Sequence, residues 1–209
     1  MNTRLRVGRA IGKNEGEVAL AMMSQIKERG NPERPPAIAS DGNDSYPEAM
    51  LETWGTLPEY SGRGRPPTRK LPHPEWKCIQ VTKHRSGGRL TGITYSVVYG
   101  NPKEVCDLMG LNTSYVERTN LTSRQMNGRM VRKTLSFSKE EEMLEASCAW
   151  EDSVYNLMRP VKSLRVEVND GQQRWLQRSP AMAAGLTDHL WTVEELMMKV
   201  VVPDIDNTN

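Results

Sequence analysis

Between residues 57 and 76 the chain carries Pro58, Pro66, Pro67, Pro72 and Pro74, and no other stretch limits the fold as strongly. Each proline fixes φ and removes an amide donor, which closes the stretch to helix and to the interior of a sheet. With basic residues interleaved, it reads as a loop or extended insertion. Regular structure has to be built on either side of it. Upstream, residues 14–29 are helical in pattern: Asn14 can cap, Glu17 stands three residues on in capping-box position, Gly30 is a stop, and Val18, Met22 and Ile26 share a face. Ahead of that helix, Leu5 and Val7 alternate with polar residues and predict a short strand ending at Gly8 or Gly12. Pro35 and Pro36 break the chain before Ala37-Ile38-Ala39-Ser40, an apolar run closed by Asp41-Gly42. An acid at a strand end beside a glycine turn is well placed for a site. Residues 46–54 then read as a second short helix.

Downstream, residues 77–81 and 90–99 are rich in β-branched and aromatic side chains and are joined through Ser86-Gly87-Gly88, which predicts a hairpin closed by Gly100-Asn101-Pro102. Helices are expected over residues 114–133 and 139–158, the second with Ser138 and Glu141 as a capping box and Arg159-Pro160 as its end. After Pro160 periodicity is weak, with Trp175 and Trp191 as isolated anchors and residues 204–209 expected to be disordered. The order of elements predicts an α/β protein. At 209 residues the chain is long enough for one sizeable core with appendages.

Composition excludes several function classes. No apolar run approaches the roughly 20 residues of a spanning helix, and the basic N-terminus has no signal-peptide core, so the expected setting is cytoplasmic, without membrane. Cys78, Cys106 and Cys148 lie far apart, and His73, His84 and His189 have no helical pairing, which disfavours a disulfide framework and a zinc site. The net charge is only +2, but its distribution is uneven. Residues 61–89, which include Lys83 and Arg85, hold eight Lys or Arg against Glu75 alone, and residues 118–139 hold six against no acid. Residues 140–152 then carry six acids and no base. A polyanion is steered to the middle of such a chain.

The run Tyr115-Val116-Glu117-Arg118-Thr119-Asn120-Leu121-Thr122-Ser123-Arg124, continuing through Arg132-Lys133 to Phe137-Ser138-Lys139, resembles the glutamate-bearing helix of bacterial insertion-sequence transposases of the insertion-sequence-one-like group. Ser40-Asp41-Gly42 with Tyr46 matches that family's second-carboxylate motif. Residues 155–160, Lys162-Ser163-Leu164-Arg165 and the stretch from Pro180-Ala181-Met182-Ala183-Ala184-Gly185 to His189 and Trp191 resemble its C-terminal signature. The resemblance spans about residues 3–195.

It implies a ribonuclease-H-like mixed sheet flanked by helices, the fold of the Asp-Asp-Glu transposases. Metal-dependent DNA cleavage and strand transfer follow from it, with Mg2+ or Mn2+ held by Asp41 as second and Glu117 as third carboxylate. Carboxylates from separate elements must converge on ions roughly 3.5–4 Å apart for that chemistry. Arg124, two helical turns beyond Glu117, would face the DNA backbone from the same side. Arg118 and Asn120 would flank the site, while Arg129, Arg132 and Lys133, with Lys83 and Arg85, would hold phosphates. The implied organisation is a partial catalytic domain over 1–160, with 57–76 as an insertion, and a C-terminal extension over 161–209. The implied partners are element ends, target DNA and a second copy, and the implied place is the nucleoid.

Two departures stand out. The family's first carboxylate lies on an opening strand upstream of the one matched here, and this chain has no acid before Glu15. The expectation is a fold lacking its first strands and first carboxylate, as a truncated or frame-shifted reading frame or a late start would leave it. Its alternative is a catalytically inactive remnant that binds DNA or the full-length transposase. Val161 also stands where many relatives have histidine. Plainer readings of the same residues remain open. Ser114 and Glu117 fit a capping box, Asp41 before Gly42 fits a turn, the basic face fits a solvated one, and Trp54, Trp76, Trp150, Trp175 and Trp191 fit packing anchors.

Overall fold

The computed structural model describes residues 3–109, 114–131, 133, 135–168 and 173–199. It divides into two compact units, Val7–Ser123 and a second made of Met1–Arg6 with Arg124–Asn209.

The first unit is built on α1 (Glu15–Arg29), β1 (Ile38–Asp41), α2 (Ser45–Trp54), β2 (Cys78–Ser86) and β3 (Arg89–Tyr99). Asn14 caps α1 as its sequence position requires, its Oδ1 accepting from Gly16 N at 2.9 Å and Glu17 N at 3.4 Å. The helix buries Ala19 and Met23, with Met22 and Ile26 partly covered, against Ala49, Met50 and Trp54 of α2. That face lies one residue round from the predicted Val18–Met22–Ile26 stripe, whose three residues are half-buried. The sheet order is β1-β2-β3. β1 pairs parallel with β2, Ile38 opposite Cys78 and Asp41 opposite Val81, and β2 pairs antiparallel with β3. The chain is therefore mixed α/β, as predicted. Trp76 packs edge-on against Tyr99, ring centres 5.7 Å apart, and closes the core over Cys78.

The hairpin forms and is longer than its sequence limits. Gly87 and Gly88 take φ of 57° and 80°, the two left-handed residues that a tight hairpin turn demands and that glycine alone adopts without cost. From Thr82 to Ser96 no residue of the ribbon is buried. The proline-rich stretch is a loop, as read, closed at its base by an antiparallel bridge between Thr56 and Leu71.

Leu5 and Val7 do not form a strand: residues 3–12 have no sheet pairing. In place of sheet partners, the backbones of Arg6 and Arg9 in this segment are satisfied by side-chain amides, which carry the same donor and acceptor as a peptide group. In the first unit Gln25 accepts from Arg9 N at 3.1 Å and donates to Arg9 O at 2.8 Å. In the second, Asn156 does the same for Arg6, at 3.0 and 2.9 Å. A further helix, α3 (Pro102–Met109), was not anticipated, although Pro102 suits a first helical position and Asn101 accepts from Lys103 N at 3.0 Å.

The helix expected over 114–133 is α4 (Ser114–Met126) and stops early. Asn127 is extended at φ −122°, ψ 104°, and its side chain caps a 3-10 turn, Gly128–Met130, instead of continuing the helix. In the second unit α5 (Glu141–Ser153) runs into a π turn, Val154–Met158, which ends at Arg159-Pro160 as predicted. Its capping box does not form: Glu140 is the N-cap without a side-chain bond, and the Ser138 hydroxyl accepts from Arg129 Nη1 at 2.8 Å. A two-residue pair, β4 (Val166–Glu167) with β5 (Trp175–Leu176), precedes α6 (Pro180–Ala183) and α7 (Val193–Met198). Cys148, Tyr155, Leu164 and Ala181 are buried there. Among the described residues no helix is long and apolar enough to cross a membrane.

Arg6 is the ionic centre of this unit. Its Nη1 lies 2.5 Å from Glu151 and 2.9 Å from Asp152, and its guanidinium covers the Tyr155 ring at 3.9 Å. The Arg6 and Glu151 side chains are 8% and 3% exposed, so removing one partner leaves a buried charge, at a cost of about 3–5 kcal/mol. We expect Arg6→Ala to lower the free energy of unfolding by that amount, read from the shift of the urea midpoint at constant m, and Arg6→Met with Glu151→Leu to restore most of it.

His189 sits between Asp188 and Glu195, at 2.6 and 3.0 Å. The hydrogen bond to Asp188, then that to Glu195, raises its pKa, while the Asp188 and Glu195 carboxyls are lowered. A raised histidine stabilises fully below its ordinary value and loses the contribution as pH climbs through the raised one; the lowered carboxylates lose theirs in acid. The thermal midpoints of wild type and His189→Gln should therefore differ most at about pH 5–6 and converge above neutrality.

Candidate functional site

α1 enters and β1 leaves at the same edge of the sheet, since the helix runs down and the next strand returns. The last residue of a parallel strand and the first turn of the preceding helix are thereby brought together. Asp41 is that last residue, exposed at the carboxyl end of β1, the end at which open α/β sheets hold ligands. Gly42 follows, where a Cβ would stand 2.7 Å from Thr82 Oγ1 and would require that side chain to turn away.

Asn43 organises the loop. Its amide nitrogen donates to Asp41 Oδ1 at 3.4 Å and its Nδ2 to Glu15 Oε2 at 3.0 Å, while its Oδ1 accepts from Ser45 N at 2.9 Å. Gln80 on β2 ties the same loop down, its Nε2 reaching Asn43 O and Asp44 Oδ1, both at 3.1 Å. The turn role of Asp41 is thus present, through one long hydrogen bond, and the exposed carboxylate stands in a rigid frame. Burial, followed by the charges of Asp41 and then Glu15, raises the Tyr46 phenol above its ordinary pKa. Glu15 and Asn43 are residues that sequence reading did not pick out; the strand-return geometry of α1 and β1 was the signal available.

The remaining predicted residues are distributed as follows. Glu117 lies in α4, and its side chain is outside the described residues. Arg118, the next residue, and Asn120, about one turn on, are exposed, and Arg124 is half-buried in the last turn. Arg129 stands in the 3-10 turn beyond the helix, Lys133 is exposed with φ of 57°, and Arg132 lies outside the described residues. Arg129 and Lys133 are therefore not on one continuous helical face with Arg124, because Asn127 ends that face. Lys83 and Arg85 are on β2, opposite Ile93 and Leu90 of β3. Among the described residues no group of three or more His, Cys, Asp and Glu side chains is arranged to hold a metal ion. Those residues do not by themselves make the ligand set of a divalent-metal site. Trp54 and Trp76 are packed as anchors at 7% and 5% exposure, whereas Trp150 is 45% exposed and corrects that reading.

Comparison with family models, curated proteins and solved structures finds no match to this chain.

The field of Asp41 at Tyr46 offers a direct check on the frame. Asp41→Asn and Glu15→Gln should each move the Tyr46 phenol part of the way back toward its ordinary value, read by ultraviolet difference titration against Tyr46→Phe. A Tyr46 titration indifferent to both would show that the loop does not hold the two carboxylates where described.

Proposed function

We propose that the chain is a DNA transposase fragment of the Asp-Asp-Glu class, with Asp41 as second and Glu117 as third carboxylate. Its reaction would be metal-dependent cleavage of DNA strands and their transfer to a target, with Mg2+ or Mn2+ as cofactor. The observation that carries this reading is the placement of Asp41: an exposed carboxylate at the carboxyl end of a parallel strand, before a loop that Gln80 ties to β2. Two further features support it. β1 is the edge of its sheet among the described residues, the position where a ribonuclease-H-like fold takes another strand. The basic residues 118–139 follow directly on Glu117.

A second reading, a DNA-binding chain without catalysis, is favoured by the β2–β3 ribbon. It projects Lys83 and Arg85 from a two-stranded element with no buried residue beyond Val81, and a ribbon of that kind is narrow enough to enter a major groove.

Both readings expect duplex DNA to bind with an affinity that falls steeply as salt rises. Lys83→Ala with Arg85→Ala should lower the slope of log affinity against log salt by roughly 1–2, measured by fluorescence anisotropy. Affinity indifferent to salt would sink both. Nicking assays in Mg2+ and Mn2+ separate them. The transposase reading expects weak nicking that Asp41→Asn reduces at least tenfold, and the binding reading expects none above the Asp41→Asn background. Robust strand transfer by this chain alone would contradict the assignment of only two carboxylates to it.

A further inference from the structure

The second unit holds a cavity of about 520 Å³ between the 3-10 turn and α5, within the range of about 300–1,000 Å³ usual for small-molecule sites. Its lining includes Asn127, Gly128, Arg129, Phe137, Trp150 and Val154. Two of these are large aromatic residues left substantially open, Phe137 at 60% and Trp150 at 45% exposure. An exposed tryptophan and phenylalanine sharing one cavity are an unusual surface for a protein to leave uncovered.

The charge around them selects the occupant. Glu151 lines the same cavity, but its Oε1 is engaged by Arg6 at 2.5 Å, a guanidinium it shares with Asp152 at 2.9 Å. Arg129 commits one of its five N–H groups to Ser138 at 2.8 Å. It belongs to the acid-free basic run of residues 118–139. An occupant that offers a flat π-face to the rings and a negative charge to the arginine satisfies both features, and a nucleotide in single-stranded DNA is such a group. A base within a duplex presents no face.

We propose that this cavity docks an unpaired nucleobase of single-stranded DNA, stacked on Trp150 and Phe137, with Arg129 on the adjoining phosphate. The inference rests on the DNA reading above and adds to it a site for an unstacked base. Stacking on an aromatic side chain contributes about 1–3 kcal/mol per base, so the base should matter at least fivefold in affinity.

The test uses the full chain and two fluorescein-labelled oligonucleotides of equal length, oligo-dT and a fully abasic strand with the same phosphates. We expect oligo-dT to bind at least about fivefold tighter. Trp150→Leu and Phe137→Ala should remove that preference without changing binding of the abasic strand. Gly128→Leu provides a variant that leaves both rings in place. A Cβ at Gly128 meets nothing within 4 Å, so the added side chain enters open space, and it too should abolish the preference. Unchanged far-ultraviolet circular dichroism and a cooperative thermal transition certify each fold. Equal, salt-sensitive binding of both strands by wild type, or a preference that survives Trp150→Leu and Gly128→Leu, overturns the base site alone. Absence of binding to either strand and to duplex DNA overturns the DNA reading together with it.

Discussion

The parallel pairing of β1 with β2 is the constraint from which the first unit follows. Two parallel strands cannot be joined by a tight turn, so the chain after Asp41 must leave the sheet and come back. It does so through α2 and the proline-rich loop. α2 uses the excursion to cover α1, and the loop, held at its base by Thr56 and Leu71, absorbs the rest. The register fixes Asp41 beside Val81 and brings the Thr82 hydroxyl within 2.7 Å of where a Cβ at residue 42 would stand. Gln80, one pair earlier on β2, reaches the loop that carries Asn43 and Asp44. The position of one exposed carboxylate is thus set by backbone pairing and not by its own contacts.

Side-chain amides recur wherever the backbone lacks a partner. Gln25 and Asn156 take the place of strand neighbours for Arg9 and Arg6, Asn43 links the strand end to α1, and Asn127 turns the chain out of α4. A carboxamide offers a donor and an acceptor without charge, so it can complete a peptide's hydrogen bonds without the desolvation cost of an ion. The second unit adds a charge, at Arg6, and surrounds it with two carboxylates and a tyrosine ring.

Local signals in the sequence carried much of this architecture. Asn14 and Gly30 bound α1, the glycine pair places the hairpin turn, Arg159-Pro160 ends the long helix, and the prolines keep 57–76 irregular, because each acts on its own backbone within a few residues. The strand expected at Leu5 and Val7 failed for the opposite reason: alternation specifies an extended segment but not what pairs with it, and here the partners are side chains distant in sequence. α4 was read too long because Asn127-Gly128 was taken as part of a basic helical face and not as a cap. Asp41 was legible from its glycine neighbour, whereas Glu15 and Asn43 become neighbours only once the helix and strand are folded back on each other. Trp150 was read as an anchor because tryptophan usually is one; its exposure depends on how α5 is covered, which no local pattern records.

The ribbon beyond Val81 has another property. Since none of its residues from Thr82 to Ser96 is buried, no volume has to be conserved along it, and only the alternation of sides and the left-handed glycine turn constrain its sequence. Adding or deleting two residues in each strand would change its reach and preserve which groups face outward together. A change of one in each would carry Lys83 and Arg85 to the reverse side. With neither face buried, packing excludes no such step, and the projection is free to vary in length where the strands it grows from are not.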